Sequence, residues 1–313
     1  MLRLKRNKET ELAVEPAKRL GQPDVPAWRG SSRLRRFMDT WRRFKRSRTA
    51  VAGLVVILVI IFMAVFASVI APHDPYDPAP RNILQSPSRD HLMGTDAIGR
   101  DLFSRIIYGS RVSLQVGIIS VGIAAVVGVT LGVIAAYYGG LIDSLIMRFL
   151  DALLAFPAIL LAIFVMAVLG PSIRNAMIAI GVIFIPAFAR ITRANALSLK
   201  ETEFVEAARA IGARDSHIMV KTILPNCLSP IIVQASLGVA YAVLVEAGLS
   251  FLGLGAQPPE PSWGSILSAG RGLMTTAPWV ATFPGIAIFL CVLGFNLVGD
   301  GIREALDPHL KNI

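Results

Sequence analysis

Six long apolar runs, at 51–71, 112–137, 152–169, 176–191, 228–249 and 280–298, leave this chain few ways to fold. Only Arg190 and Glu246 bring charge into them. A helix of about 20 apolar residues crosses the roughly 30 Å hydrocarbon core of a bilayer. In lipid every backbone N–H and C=O must be satisfied within the protein, and a helix does this by itself. The expected fold class is therefore an all-α polytopic membrane protein with six transmembrane helices. Composition agrees: 54% of the 313 residues are hydrophobic, against about 45–50% for soluble domains. The fourth run is the shortest. Pro157, Pro186 and Pro284 fall inside runs, so neighbouring helices or waters must take up the carbonyls they free. The first run is long enough to span, and is read as an uncleaved first helix rather than a signal peptide.

Charge sets the expected orientation. Residues 1–50 hold 15 Lys/Arg and 5 Asp/Glu, which is the whole of the net +10. Cationic residues concentrate on the cytoplasmic side of membrane proteins. With the N-terminus inside, 24 of the 31 Lys/Arg fall in inside segments and 7 in outside ones. Both termini and the segment before Pro225 are thus expected in the cytoplasm. No aromatic-basic module accompanies the basic leader, so nucleic acid is not an expected partner. Its expected contact is anionic membrane lipid, through an amphipathic helix over 33–48 that carries Leu34, Phe37, Met38, Trp41 and Phe44. The expected organisation is a basic cytoplasmic segment over 1–50, a first helix at 51–71, an outer loop at 72–111, a core over 112–300 and a cytoplasmic tail over 301–313.

Motifs for chemistry are missing. His73, His91, His217 and His309 are far apart in sequence, with no zinc spacing, so no metal site is expected. Neither G-x-S-x-G nor G-x-x-x-x-G-K-[ST] occurs, so if ATP drives this chain a partner must bind it. Ala124, Gly128, Gly132 and Ala136, with Gly140, stand at strict i+4 spacing, a pattern that lets membrane helices approach closely; lining a lumen is the alternative. Glu246 sits well inside a run, and a carboxylate in hydrocarbon is costly. It is read either as a translocation-path or gating group, or as a locally hydrogen-bonded acid near the outer face. In the outer loop, Thr95 or Asp96 is expected to cap a short helix ending at Tyr108, with Asp101 and Arg105 pairing at i, i+4. Arg148 and Asp151 are read as a structural ion pair or as solvated charges.

The segment 206–225 is the longest polar passage between two apolar runs in the second half, within a cytoplasmic loop expected at about 192–225. Residues 203–210 are good helix formers, Gly212 suits a turn, and Asp215 can open a second short helix ending before Leu224–Pro225. Ala207 and Ala208 leave a flat face that another protein can approach. The expected unit is helix, glycine turn, helix, projecting into the cytoplasm.

These residues carry a resemblance. Glu206-Ala207-Ala208, Gly212 and Leu224-Pro225 resemble the EAA loop of permease subunits of bacterial binding-protein-dependent ABC importers, with Thr222 where that family often has an aliphatic residue. The stretches HLMGTDAIGRDLFSRIIYGSRVSLQVG (91–117), EAGLSFLGLGAQPPEPSWG (246–264) and FNLVGDGIREALDPHL (295–310) are similar to the second permease subunit of the dipeptide/oligopeptide/nickel subfamily. The resemblance implies a type I ABC importer permease in the bacterial inner membrane, itself without catalytic residues or cofactor. It implies a homologous permease partner, two ATPase subunits that bind ATP and Mg, and an extracytoplasmic binding protein. Glu206, Ala207 and Gly212 would couple to the ATPase, with Ala208, Arg209 and Asp215 beside them. Peptides are the implied substrate; nickel, glutathione or another small solute are alternatives. An ATP-independent membrane protein or a membrane enzyme is the contrasting class, and no cluster of titratable residues in the sequence supports it.

Overall fold

The computed structural model describes residues 32–306. Expectations for residues 1–31 and 307–313, and for the Leu34 and Phe37 side chains, fall outside it. All regular structure among the described residues is helical. The chain divides at residue 39/40. The division falls inside α1 (Ser32–Arg46), and the larger unit, from Thr40, is a helix bundle. Trp41 of the larger unit is exposed, and so is Met38 of the smaller one. Phe44 is instead buried with Ala50 and Ala305, so it is a packing residue and not a lipid-surface one.

Among the described residues five helices are long and apolar enough to cross a membrane: α2 (Arg48–Val65), α4 (Leu102–Tyr138), α7 (Ile173–Lys200), the continuous helix Asp215–Phe251, and α12 (Trp279–Leu306). A short α3 (Ala67–Ile70) extends α2. The expected third span, 152–169, is not a straight helix. Its first residues close α5 (Gly140–Leu154), the rest form α6 (Ala158–Leu169), and the two are bent by 93°. Proline disfavours helical backbone at the residue before it, and Pro157 stands at the break. Twelve residues make a helix about 18 Å long, too short to cross alone. The count is six only if this bent pair makes one crossing.

Two boundaries move for the same reason: spans continue as helix beyond their apolar runs. α7 extends past residue 191 to Lys200, so the fourth span is not short. α4 begins at Leu102, not 112, and runs unbroken through Tyr108. Its cap is Asp101, whose Oδ2 accepts from Ser104 N at 2.8 Å and Ser104 Oγ at 2.7 Å. Neither Thr95 nor Asp96 caps a helix. Arg105 does not pair with Asp101; it lies 3.6 Å from Asp96 and donates to the Pro75 carbonyl at 2.9 Å.

The bundle closes on a seam between α4 and α7. A Cβ at position 128 would stand 2.6 Å from the Ile185 carbonyl oxygen; at position 132 it would overlap the Ala189 carbonyl. With Ala124 and Ala136 also fully buried, the four small residues are where the two backbones touch. Gly140 lies past the seam, at a positive φ in the turn into α5. Below it α5 is held to α7 by two ion pairs, Arg193 on both oxygens of Asp143 and Arg190 on Asp151, each at 2.5 Å. Asp151 therefore pairs with Arg190, not with Arg148.

Near the start of α4 Trp263, fully buried at the start of α11 (Trp263–Gly270), donates from Nε1 to the Ile106 carbonyl at 2.9 Å. Glu246 is part of this joint. It is wholly buried, and its Oε1 accepts from Ser250 Oγ at 2.6 Å and from Ser262 Oγ at 2.9 Å. Ser262 is the N-cap of α11. The carboxyl thus ties α11 to α10 (Leu224–Phe251), the main part of the fourth long helix.

Gly132→Leu is expected to force the seam open and lower the detergent melting temperature by several degrees, for a cost of about 1–3 kcal/mol. Gly122→Leu, on the same helix but facing open space within 4 Å, is expected to leave it nearly unchanged. Thermal unfolding of the two purified variants checks the pair.

Candidate functional site

The polar passage after α7 folds into a short amphipathic helix, α8 (Glu203–Ala210), a glycine turn, and the start of the next long helix. Thr202 is the N-cap position, and Glu203 and Glu206 place negative charge in the first turn, where the helix dipole favours it. The end is a Schellman motif. Ala213 N–H donates to the Ala208 carbonyl at 3.1 Å, and Gly212 N–H donates to the Arg209 carbonyl at 2.9 Å. Gly212 holds φ at +74°, a conformation that costs a residue with a Cβ about 1–2 kcal/mol. These features match the sequence expectation closely. The following segment does not. α9 (Asp215–His217), a π-helical segment at Ile218–Ile223 and α10 form one continuous helix through Pro225. Pro225 lies inside this continuous helix, just past the π-helical segment. The part outside the long helices is therefore about 201–214, much shorter than 192–225.

One face of α8 belongs to the bundle. Val205 is fully buried, and it shares a core with Ala196 on α7 and with Ile218, Ile223 and Cys227 on the next helix. Half-buried Ala208 and Ala213 pack against the same core. Ala208 therefore faces inward and is not part of a flat outer face. The opposite face is open. Glu206, Ala207, Arg209, Gly212 and Asp215 are all exposed. So are two large apolar side chains that sequence reasoning passed over, Phe204 at 45% and Ile211 at 84%. Phe204, Ala207 and Ile211 stand at i, i+3 and i+7, which puts them on one stripe. Reading α8 by periodicity on its solvent side, not only for helix formers, would have found them.

A second residue missed from sequence is Tyr137, at the end of α4. Its hydroxyl donates to Asp215 Oδ1 at 2.5 Å, and the Arg209 guanidinium lies 5.4 Å from its ring centroid. One tyrosine thus touches both arms of the Gly212 turn. Lys200 Nζ adds a bond to the Ala136 carbonyl at 3.4 Å, on the same end of α4. The arrangement joins α8 to α4, α7 and α10 together.

Glu246 lies on a different part of the molecule and makes no contact with this unit. It is enclosed between α10 and α11, with no exposure to a groove or lumen. The exposed polar groups of α10 are uncharged. Gln234 and Tyr241, seven residues apart, line a groove of about 470 Å³ with Phe184 of α7 and Asn296 of α12. Tyr241 meets the Phe184 ring edge-on at 5.6 Å. Polar uncharged residues recurring at helical spacing within an apolar run were the available signal.

Known proteins share this architecture. Residues 128–312 match the family described as binding-protein-dependent transport system inner membrane component. Residues 36–87 match the N-terminal TM domain of oligopeptide transport permease C. The chain belongs to the binding-protein-dependent transport system inner membrane component family, and is a multi-pass ABC transporter permease. The dipeptide transport system permease protein DppC of Alkalihalophilus pseudofirmus is 50% identical over 274 residues, covering 88% of this chain and 90% of that one. The glutathione transport system permease protein GsiD of Pectobacterium atrosepticum is 46% identical, covering 92% and 96%. Among solved structures, the MetNI methionine ABC transporter in an inward-facing conformation aligns with a TM-score of 0.55 at 20% identity, over 66% of this chain and 98% of that one. That likeness establishes the type I importer fold for the core.

Gly212→Val is expected to open the turn and expose the Arg209 and Arg214 bonds. Gly212→Asn, which tolerates positive φ better, should do so much less. Limited trypsin digestion of the two variants, followed by mapping of the cut sites, measures the difference.

Proposed function

We propose that this chain forms half of the translocation path of an ATP-driven importer of short peptides, and that α8 is the element through which it receives energy. The observation that carries the proposal is the two-sided character of α8. Its inner face is part of the bundle core, and its outer face presents Phe204, Ala207 and Ile211 beside the charges of Glu206 and Arg209. An exposed apolar stripe rimmed by charge suits a protein partner, since contiguous apolar patches of this kind mark interaction sites. The partner is an ATPase subunit with a cleft for the helix. Small Ala207 between two large side chains lets its surface approach closely.

The stoichiometry we infer is one homologous permease, two ATPases and one extracytoplasmic binding protein, with both termini and α8 on the cytoplasmic side. The excess of Lys/Arg in the inside segments supports that orientation. ATP and Mg, held by the partners, supply the free energy. Within this chain the work is mechanical. Closure of the partners displaces α8; Val205, Tyr137 and Lys200 pass the movement to α4, α7 and α10, and the groove of Gln234, Tyr241 and Asn296 alternates between the two faces of the membrane. No side chain in it makes or breaks a bond. Peptide cargo is supported by the DppC and GsiD relatives, glutathione being itself a tripeptide. An uncharged polar groove fits a substrate carried as a neutral or zwitterionic backbone. Glutathione is the second reading, favoured by the same near-equal identities.

Glu206→Lys and Ile211→Asp are expected to abolish uptake of a labelled dipeptide while the chain still inserts and its partner permease co-purifies. Tyr137→Phe, which keeps the ring under Arg209 but loses the bond to Asp215, is expected to reduce uptake several-fold. Uptake assays in cells with matched expression, run in parallel with glutathione and nickel, test both coupling and cargo. Full uptake by Glu206→Lys would refute the assignment of α8.

A further inference from the structure

The outer segment between α3 and α4 carries a cluster that transport does not use. His73, His91 and Asp101 come from three separate stretches, and one ligand atom from each lies within 4.8 Å of the others. Sequence distance concealed this: His73 and His91, expected to be far apart, have ring centroids 4.8 Å from each other. His91 Nδ1 is 2.9 Å from Asp101 Oδ1, and His73 Nδ1 is 3.8 Å from Asp101 Oδ2. Ligands held about 2.0–2.1 Å from a tetrahedral ion stand about 3.4 Å from one another. The two observed separations bracket that edge.

The surroundings favour a cation. The three residues open onto a cavity of about 480 Å³ whose lining adds Asp74, Asp77 and Asp90 and includes no Lys or Arg among the described residues. Asp101 is fixed by Ser104, as the cap of α4 requires. His91 Nε2 is 3.3 Å from Asn82 Nδ2. Asn82 Oδ1 accepts from Gln85 Nε2 at 3.2 Å; metal binding at Nδ1 requires this amide to turn and release that bond, so that its oxygen accepts Nε2–H. A plain His91–Asp101 hydrogen bond would account for two of the three residues. It gives no role to His73, whose imidazole makes no hydrogen bond among the described residues and is 42% exposed toward the cavity.

We propose that His73, His91 and Asp101 form a binding site for a divalent transition-metal ion of the Zn²⁺ class, tying the outer segment to the start of α4. Two imidazoles and one carboxylate suit Zn²⁺, Co²⁺ or Ni²⁺, whereas Mg²⁺ and Ca²⁺ take oxygen ligands. Cavity water or one of the neighbouring carboxylates completes the shell. The ion is a resident of the loop: it adds a link among three stretches already joined by the Leu102 N–H bond to the Gly94 carbonyl and by the His73 N–H bond to Ser104 Oγ.

The test uses the full chain purified with its partner subunits and freed of any histidine tag. After equilibration with Zn²⁺ and desalting, metal content is measured by mass spectrometry, and Co²⁺ is titrated while its visible ligand-field absorption is followed. One Zn²⁺ per chain is expected, with affinity reduced about tenfold or more in His73→Ala and unchanged in His217→Ala. Zn²⁺ is also expected to protect the bonds after Arg81 and Arg89 from trypsin in the parent protein and not in His73→Ala. His73 caps nothing and is partly exposed, so the variant is expected to fold; His73→Gln repeats the measurement should it not. Substoichiometric Zn²⁺, equal binding by His73→Ala and the parent, or full displacement by equimolar Mg²⁺ would each overturn the proposal. Binding is read without any transport assay, so the outcome is independent of the importer assignment.

Discussion

The rest of this bundle depends on the contact of two backbones. Between α4 and α7 there is room for no side chain at positions 128 and 132, and the helices meet at carbonyl oxygens. In lipid no hydrophobic drive brings helices together, because hydrocarbon surrounds them in any case. Association rests on van der Waals packing, and glycine increases the number of atoms that can come within range. With this seam fixed, α5 can be stapled across it by its aspartates, and Tyr137 at the foot of α4 reaches the arms of the Gly212 turn.

The placement of α8 follows from that geometry. A helix of eight residues is too short to be stable in water by itself. α8 persists because Val205 and Ala208 share the membrane core and because its C-terminus closes in a Schellman turn. The same burial ties α8 to the bundle instead of leaving it on a loose connector. Its outer stripe of Phe204, Ala207 and Ile211 is uncovered in this chain, which is the face we propose a partner takes.

Much of this was legible in the sequence. The apolar runs gave five long helices nearly at their observed positions, and the residues of α8 and its glycine turn were read almost to the residue. The errors share a cause. Hydropathy marks where lipid is, not where helix ends, so α4, α7 and α10 were all cut short by polar helical turns. Pro157 was recognised as lying in a span, but a proline does not announce whether it will kink a helix or break it by 93°. Contacts between distant residues were hidden altogether. Nothing local links Asp151 to Arg190, Tyr137 to Asp215, or His73 to His91. Glu246 was seen as costly to bury; its Oε1 accepts from Ser250 and Ser262, while its buried Oε2 has no hydrogen-bond partner among the described residues.

The π-helical segment at Ile218–Ile223 has a consequence for how the long helix it interrupts is read. Ile218 and Ile223 are both fully buried, although five residues apart. In an uninterrupted α-helix that spacing would turn them about 140° from each other. The wider turn absorbs one residue and brings both to the same side. The numbering of faces therefore restarts within the helix. Below the segment, one repeat aligns Asp215 and Ile218 with α4 and α8; above it, a separate phase aims Gln234 and Tyr241 at the groove. A single rod thus presents two surfaces whose directions are set independently, and its length in residues exceeds by one what its regular pitch would need.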